Sequence, residues 1–85
     1  GAARVPAVEG VRAVFAVGED WVVAATLNGW LRGWRREEGE GGRVVYRLER
    51  RVRAHAGKLL AASYAPGAAQ LVTLGRDGKL RVWDA

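Results

Sequence analysis

Thr73, His55 and Asp77 are the residues of this sequence whose types invite comparison with a catalytic site. A hydroxyl, an imidazole and a carboxylate can act as nucleophile, general base and orienting group when folding brings them within hydrogen-bond reach. Residue types alone give weak support for such chemistry, and no other motif in the chain adds to it. We therefore predict that the chain has no catalytic residues and is not an enzyme.

Metal and cofactor sites are disfavoured by composition and spacing. The chain has no cysteine and one histidine, so it cannot build a disulfide framework or a cysteine-based zinc site. Gly39, Gly41 and Gly42 lie close together, but their spacing fits neither the P-loop nor the dinucleotide fingerprint, and the neighbouring glutamates would repel phosphate. We predict no metal and no cofactor, and interpret residues 37–42 as a solvated loop.

An internal repeat becomes visible when the chain is shifted by 49 residues. Residues 11–18 then fall on 60–67 and residues 28–34 fall on 77–83, without a gap. In the second of these pairs Gly, Leu, Arg and Trp match in order. Self-similarity of this kind indicates a chain built from repeated supersecondary units.

Each repeat is predicted to form short strands joined by tight turns. Alternating apolar positions place first strands at 11–17 and 59–65, second strands at 21–27 and 70–75, and third strands at 30–35 and 79–84. Asn28-Gly29 and Asp77-Gly78 are hairpin signals, because a type I′ turn needs positive φ at both central residues. A fourth strand at 43–49 follows in the first unit only. The expected fold is all-β, with one four-stranded and one three-stranded antiparallel unit.

The second unit resembles a WD repeat of the β-propeller proteins. Residues 55–84 follow the family's pattern from His55 to the closing Trp83-Asp84, although Ala54 stands where the family has glycine. The first unit is a degenerate copy in which Arg35, rather than Asp, follows Trp34. The other departures lie at the positions equivalent to His55, Thr73 and Asp77, which are occupied by Pro6, Ala24 and Asn28.

The resemblance implies a domain layout and a role for the polar residues. Residues 1–85 would be part of a propeller: 1–10 the end of a preceding strand or loop, 11–50 a degenerate blade, and 51–85 a blade without its fourth strand. It also implies a structural hydrogen-bond network that runs from an indole N–H through a hydroxyl and an imidazole to a carboxylate. Its members would be Trp83, Thr73, His55 and Asp77.

Charge and the repeat together suggest where a partner would bind. Fourteen Lys and Arg against nine Asp and Glu give a net charge of +5, which favours anionic partners. Trp21 and Trp30 align with polar residues of the second unit, so each either packs against a neighbouring blade or contacts a partner. The arginines form either a solvated edge or a basic contact surface. The candidate partner contacts are Trp21, Trp30, Arg32, Arg35, Arg36, Arg47 and Arg51.

From the resemblance we expect a non-catalytic protein–protein interaction scaffold, as a fragment of a larger propeller protein. The absence of cysteine fits an intracellular, cytoplasmic location. Two alternatives stay open: a nucleic-acid- or ribonucleoprotein-associated subunit that uses a basic face, and a self-assembling or engineered repeat fragment. The expected partners are other proteins or the remaining blades, with a homo-oligomer if the chain is complete. No membrane partner is expected, because no apolar run approaches the roughly 20 residues that span a bilayer.

Overall fold

A computed structural model describes residues 10–84, which form seven β-strands and two short 3-10 turns. The first four strands along the chain form a four-stranded antiparallel sheet, called the first sheet, and the last three form a three-stranded antiparallel sheet, called the second sheet. The predicted all-β fold with these two units is therefore confirmed. In chain order the strands are β1 (Val11–Val17), β2 (Trp21–Thr26), β3 (Trp30–Glu38), β4 (Val44–Arg53), β5 (Leu59–Ala65), β6 (Gln70–Gly75) and β7 (Leu80–Asp84).

Two boundaries of the first sheet differ from those predicted. β3 continues through Glu37 and Glu38, which pair with β4, so the loop predicted at 37–42 begins two residues later than expected. β4 runs on to Arg53 and crosses the predicted unit boundary between residues 50 and 51. The charged side chains are compatible with strand because this hairpin is largely exposed, which leaves them in water while the backbone pairs. Except for Gly10, the predicted segment 1–10 lies outside the described residues.

The turns between second and third strands occur where predicted but are not of type I′. Gly29 and Gly78 have positive φ, at 92° and 78°, whereas Asn28 and Asp77 do not. The glycine N–H bonds in each case to the carbonyl three residues earlier, at 3.1 Å. In this kind of hairpin turn, the two central residues are followed by a residue in the left-handed conformation. Glycine occupies that position in both sheets.

The first hairpins of the two sheets differ by one residue. Val17 pairs with Trp21, but Ala65 pairs with Gln70, so the second turn is one residue longer and the strand register differs, although the sequence repeat has no gap. Pro66 lacks an N–H and begins a 3-10 turn, which ends at Ala69 with a left-handed φ of 51°. Because one residue of register reverses the faces of a strand, this extra residue places Tyr64 opposite Leu71.

The two sheets stack on each other around one small core. The buried cluster comprises Ala25, Leu31, Ala54, Leu59 and Leu71, and Phe15 of β1 meets Tyr64 of β5 with ring centroids 6.3 Å apart. We call the stacked faces the inner faces. The first sheet contributes Phe15, Val23, Ala25 and Leu31 to its inner face, and the second sheet contributes Tyr64, Leu71 and Trp83 to its own.

In the second and third strands of each sheet, the inner faces are not equivalent positions of the repeat, although Phe15 and Tyr64 of the first strands are equivalent because of the extra turn residue. Leu71 and Trp83 correspond to Val22 and Trp34, which lie on the face of the first sheet that points away from the second. The second sheet's outer face, defined by Val72, Leu74, Leu80 and Val82, corresponds instead to the covered inner face of the first sheet. The sheets are thus stacked front to back.

Candidate functional site

The structure brings His55, Thr73, Asp77 and Trp83 together at the end of the second sheet. The indole N–H of Trp83 donates to Thr73 Oγ1 at 3.0 Å, and that oxygen lies 2.8 Å from His55 Nε2. The other imidazole nitrogen, Nδ1, lies 3.2 Å from Asp77 Oδ1. Thr73 and His55 are buried, whereas Trp83 is half-buried. The four side chains therefore form one continuous chain of hydrogen bonds.

The direction of each hydrogen bond follows from the chemistry of the two residues at the ends of the network, Asp77 and Trp83. An ionised carboxylate only accepts hydrogen bonds, so Nδ1 of His55 carries the proton that is donated to Asp77. In the neutral imidazole Nε2 is then an acceptor, and the Thr73 hydroxyl donates to it while accepting from Trp83. Every polar group along this network of four side chains thereby has a hydrogen-bond partner.

The carboxylate of Asp77 is fixed by a second donor in the same turn. The backbone N–H of Lys79 donates to Asp77 Oδ1 at 3.0 Å. This hydrogen bond, followed by the one from His55, lowers the pKa of Asp77 below its ordinary value of 3.8. Asp77 is consequently ionised over the whole neutral range and holds the imidazole in one orientation.

Gly75 makes the room for this histidine, a role that the sequence did not suggest. A Cβ atom at Gly75 would overlap the ring of His55 and the carboxylate of Asp77. The equivalent residue of the first sheet is Thr26, whose hydroxyl donates to the Asn28 side chain and is also bonded by the Trp30 N–H at 3.2 Å. The first unit, which lacks the predicted network, thus has a smaller one. The sequence feature that could have revealed this difference is that the equivalent positions of the repeat carry Gly75 in the second unit and Thr26 in the first.

The turn of the first sheet holds the segment that leads into the second. The carbonyl oxygen of Gly29 accepts hydrogen bonds from the N–H groups of Ala54 and His55, at 2.7 and 3.2 Å. Two residues earlier in the turn, the carbonyl of Leu27 accepts from the N–H of Leu59 at 2.9 Å. The backbone that positions His55 is therefore anchored to the turn of the first sheet.

A cleft of about 190 Å³ lies between the two sheets. Trp21 and Trp83 provide its aromatic walls, Arg50 lines its β4 side, and Asp84 lies at the β7 side. The Arg50 guanidinium lies 5.5 Å from the centroid of the Trp21 ring, and that of Arg35 lies 6.0 Å from it. The remaining lining is apolar apart from Arg32, so the cleft combines two indoles with charged residues of both signs.

The candidate partner contacts do not form a single patch. Trp21 and Trp30 are both half-buried, and the Arg53 guanidinium lies 5.6 Å from the Trp30 ring. Three of the arginines form ion pairs with glutamates: Arg35 with Glu49, Arg36 with Glu38, and Arg47 with Glu37. Arg32 is half-buried, and Arg51 lies exposed opposite it on β4. Their role in binding stays a prediction.

No protein-family model matches the chain, and no curated protein or solved structure matches it either. In the part of the chain that the structure describes, no three His, Cys, Asp or Glu side chains converge on a common point that would hold a metal ion. Residues 10–84 also contain no helix with the length and apolarity required to cross a bilayer.

Proposed function

We propose that this chain forms two neighbouring blades of a WD-repeat type of β-propeller and serves as a non-catalytic scaffold that binds other proteins. The observation that carries the proposal is the front-to-back stacking of the two sheets. One outer face of the pair repeats the face that is already covered inside it. A module built in this way is completed only by further protein.

The exposed residues of that outer face support the proposal. Leu80 is 64% exposed, Val82 55% and Leu74 37%. Their counterparts in the first sheet are Leu31, Gly33 and Ala25, which are all buried. Leu31 and Ala25 belong to the core between the two sheets, and Gly33 lies beneath Trp21 and Arg50. Contiguous exposed apolar side chains on a sheet mark a surface that binds protein. A further sheet of the same repeat, in a longer chain or in another molecule, is the partner that fits it.

The geometry of the polar network supports a structural role for it. Thr73 Oγ1 is fully buried, and its hydrogen-bonding capacity is taken up by Trp83 and His55. A nucleophile must present its oxygen to a substrate, and this hydroxyl has no open side. The network instead keeps the polar groups under the turn paired, which avoids the cost of about 1 to 3 kcal/mol for each buried polar group left alone.

Sedimentation of the chain and of two variants tests the proposal. The unchanged chain should associate as its concentration rises, and the double substitution Leu80→Asp with Val82→Asp should abolish this association, because charge on the outer face opposes stacking. Ala68→Asp is the matched control, since Ala68 is exposed in a turn away from that face and association should persist. Circular dichroism verifies that each variant is folded.

A chain that stays monomeric at every concentration, with slow exchange of the amides from Leu80 to Asp84, would count against the scaffold. Slow exchange in a monomer would mean that neither the outer face nor the β7 edge requires a partner. The opposite result, loss of association in the double variant alone, supports it.

A further inference from the structure

We propose that the end of the molecule that holds the Gly29 and Gly78 turns is a binding surface for an acidic polypeptide segment of a partner protein. The inference deepens the proposed scaffold function and rests on it, since it names the chemistry of one partner and the end of the strands where that partner binds. We call this surface the basic end. Its members are exposed cations of two chain segments, namely Arg53, Lys58, Arg76 and Lys79.

Backbone hydrogen bonds bring the two segments of the basic end together. The N–H of Arg76 donates to the carbonyl oxygen of Lys58 at 2.8 Å, and the N–H of Gly75 donates to that of Lys79 at 3.0 Å. The carbonyl oxygen of Gly29 accepts the hydrogen bonds that hold the first segment against the turn of the first sheet. The cations of both segments therefore project from the same end of the molecule, on backbone that hydrogen bonds hold in place.

The guanidinium of Arg53 is oriented before any partner binds. Its Nε donates to the carbonyl oxygen of His55 at 3.3 Å, and one of its terminal nitrogens donates to the carbonyl oxygen of Ala56 at 3.0 Å. The guanidinium also lies 5.6 Å from the centroid of the Trp30 ring. A cation restrained in this way loses little further conformational freedom when it binds an anion.

Acidic residues are distributed unevenly along the direction of the strands. Within residues 10–84 only Asp77 lies at the basic end, and no described carboxylate forms an ion pair with any of its four cations. At the opposite end Arg36 and Arg47 are both paired with glutamates. The remaining acidic residues of the described range lie at that opposite end or in mid-strand, and they are Glu19, Asp20, Glu37, Glu38, Glu40, Glu49 and Asp84. Positive charge is therefore nearly unbalanced at the basic end, which favours an anionic partner there.

The carboxylate of Asp77 favours one class of polyanion over another. Asp77 follows Arg76 directly, and its lowered pKa keeps it ionised at neutral pH. Its side chain is engaged by His55 and by the backbone N–H of Lys79, so it stays among the cations. A nucleic-acid strand carries a negative charge at every phosphate and would have to pass this carboxylate. A polypeptide can place an uncharged residue there and carboxylates beside the cations, which favours an acidic protein segment.

A second copy of this chain fits the basic end less well than a different protein. Glu37 and Glu38 at its opposite end are already paired with Arg47 and Arg36, so they offer little unbalanced negative charge. The copy as a whole also carries a net charge of +5. Because like charges oppose association, the partner that fits is a different protein with an unpaired acidic segment.

Nuclear magnetic resonance of the isotope-labelled chain, titrated with a blocked decapeptide of alternating Glu and Ser, tests the proposal. The protein concentration is one at which sedimentation gives a single species, so that assembly and peptide binding are measured separately. We expect saturable shifts of amide signals confined to residues 53–58 and 75–79, and none with the peptide in which Gln replaces Glu. Binding should weaken as the salt concentration is raised.

Substitutions at the two ends of the molecule provide a matched comparison. Lys58→Gln and Arg76→Gln should each weaken peptide binding about threefold, and the double substitution should weaken it about tenfold. Arg43→Gln is the control, because Arg43 is an exposed arginine at the opposite end, beside the tip of the β3–β4 hairpin, and its substitution removes the same charge. Peptide binding should be unchanged in that variant. The amide spectrum of each variant verifies that it is folded.

Three results would overturn the inference. Equal weakening by Arg43→Gln and Lys58→Gln would show that binding follows net charge alone. Duplex DNA or RNA that binds through Lys58 and Arg76 more tightly than the peptide at equal salt would replace the acidic polypeptide by nucleic acid. Absence of peptide binding to a chain that still associates through its outer face would remove the basic end and leave the scaffold function standing.

Discussion

The hydroxyl of Thr73 depends on His55 to accept its proton, and this dependence gives the residue-scale prediction. His55→Ala removes that acceptor, removes the donor to Asp77, and leaves a cavity beside Gly75. We expect the free energy of unfolding to fall by about 1 to 3 kcal/mol. Denaturation by urea, followed by far-ultraviolet circular dichroism, measures the loss.

Asn28→Ala is the comparison within the same chain and should cost less. Asn28 is exposed, and when its amide is removed the buried Thr26 hydroxyl still accepts from the Trp30 N–H and can donate its proton to the Trp30 carbonyl, 3.3 Å away. No buried group is left alone in that variant. Equal losses for the two substitutions would show that the networks of the two sheets contribute alike, contrary to this prediction.

Individual residues could be predicted where they belong to a known repeat pattern. They could not be predicted where their role depends on the packing of neighbouring side chains. The resemblance to a WD repeat selected His55, Thr73, Asp77 and Trp83, the four residues that the structure joins by hydrogen bonds. Gly75 was not predicted because its role is to have no side chain next to the His55 imidazole, which lies 20 residues earlier in the chain.

At the scale of elements, the two glycine turns offer a matched pair of substitutions. Both Gly29 and Gly78 have positive φ, so alanine at either position costs roughly 1 to 2 kcal/mol of backbone strain. At Gly29 the new Cβ would also lie 2.5 Å from the carbonyl oxygens of His55 and Gly57, whereas at Gly78 it meets nothing within 4 Å. Gly29→Ala should therefore destabilise the chain by at least about 1 kcal/mol more than Gly78→Ala.

Thermal and chemical unfolding of both variants measures the difference. Because Gly29 also accepts the hydrogen bonds from Ala54 and His55, its substitution should loosen the second sheet as well as the first. Hydrogen exchange resolves this, with faster exchange in β5 and β6 expected for Gly29→Ala only. Identical profiles for the two alanine variants would mean that the first sheet's turn does not support the second sheet.

Strand positions followed from the sequence because alternation and turn residues are local signals. The predicted first strands coincide with β1 and β5, and the second strands agree to within one residue. Register is different, because it depends on how many residues a turn consumes. The left-handed Ala69 extends the second turn by one residue, and neither composition nor periodicity indicates that a non-glycine residue adopts this conformation.

At the scale of the whole molecule, the net charge of +5 favours weak attraction to nucleic acid and no tight complex. Three arginines are already paired with glutamates on the exposed hairpin of β3 and β4. We expect duplex DNA and RNA to bind with dissociation constants weaker than about 1 μM at roughly 150 mM salt, in the range of nonspecific binding. Titration by fluorescence anisotropy at several salt concentrations measures both affinity and salt dependence.

Sub-micromolar affinity at that salt concentration would favour a nucleic-acid-associated role over the scaffold. Arg36→Gln and Arg47→Gln serve as controls, because each removes a cation whose charge is balanced by a neighbouring carboxylate. Weak nonspecific binding should change little with either substitution. A large loss from one of them would instead identify a specific contact with phosphate.

The front-to-back contact between the sheets also constrains symmetry. A contact between unlike faces has no two-fold axis, so the operation that carries the first sheet onto the second can be applied again to the result. Repeated application generates a closed ring if the rotation divides a full turn evenly and an open helical filament if it does not. The tilt between these two sheets, held by the bonds to the Gly29 and Leu27 carbonyls, therefore sets the cyclic order of any assembly made by extending this stack.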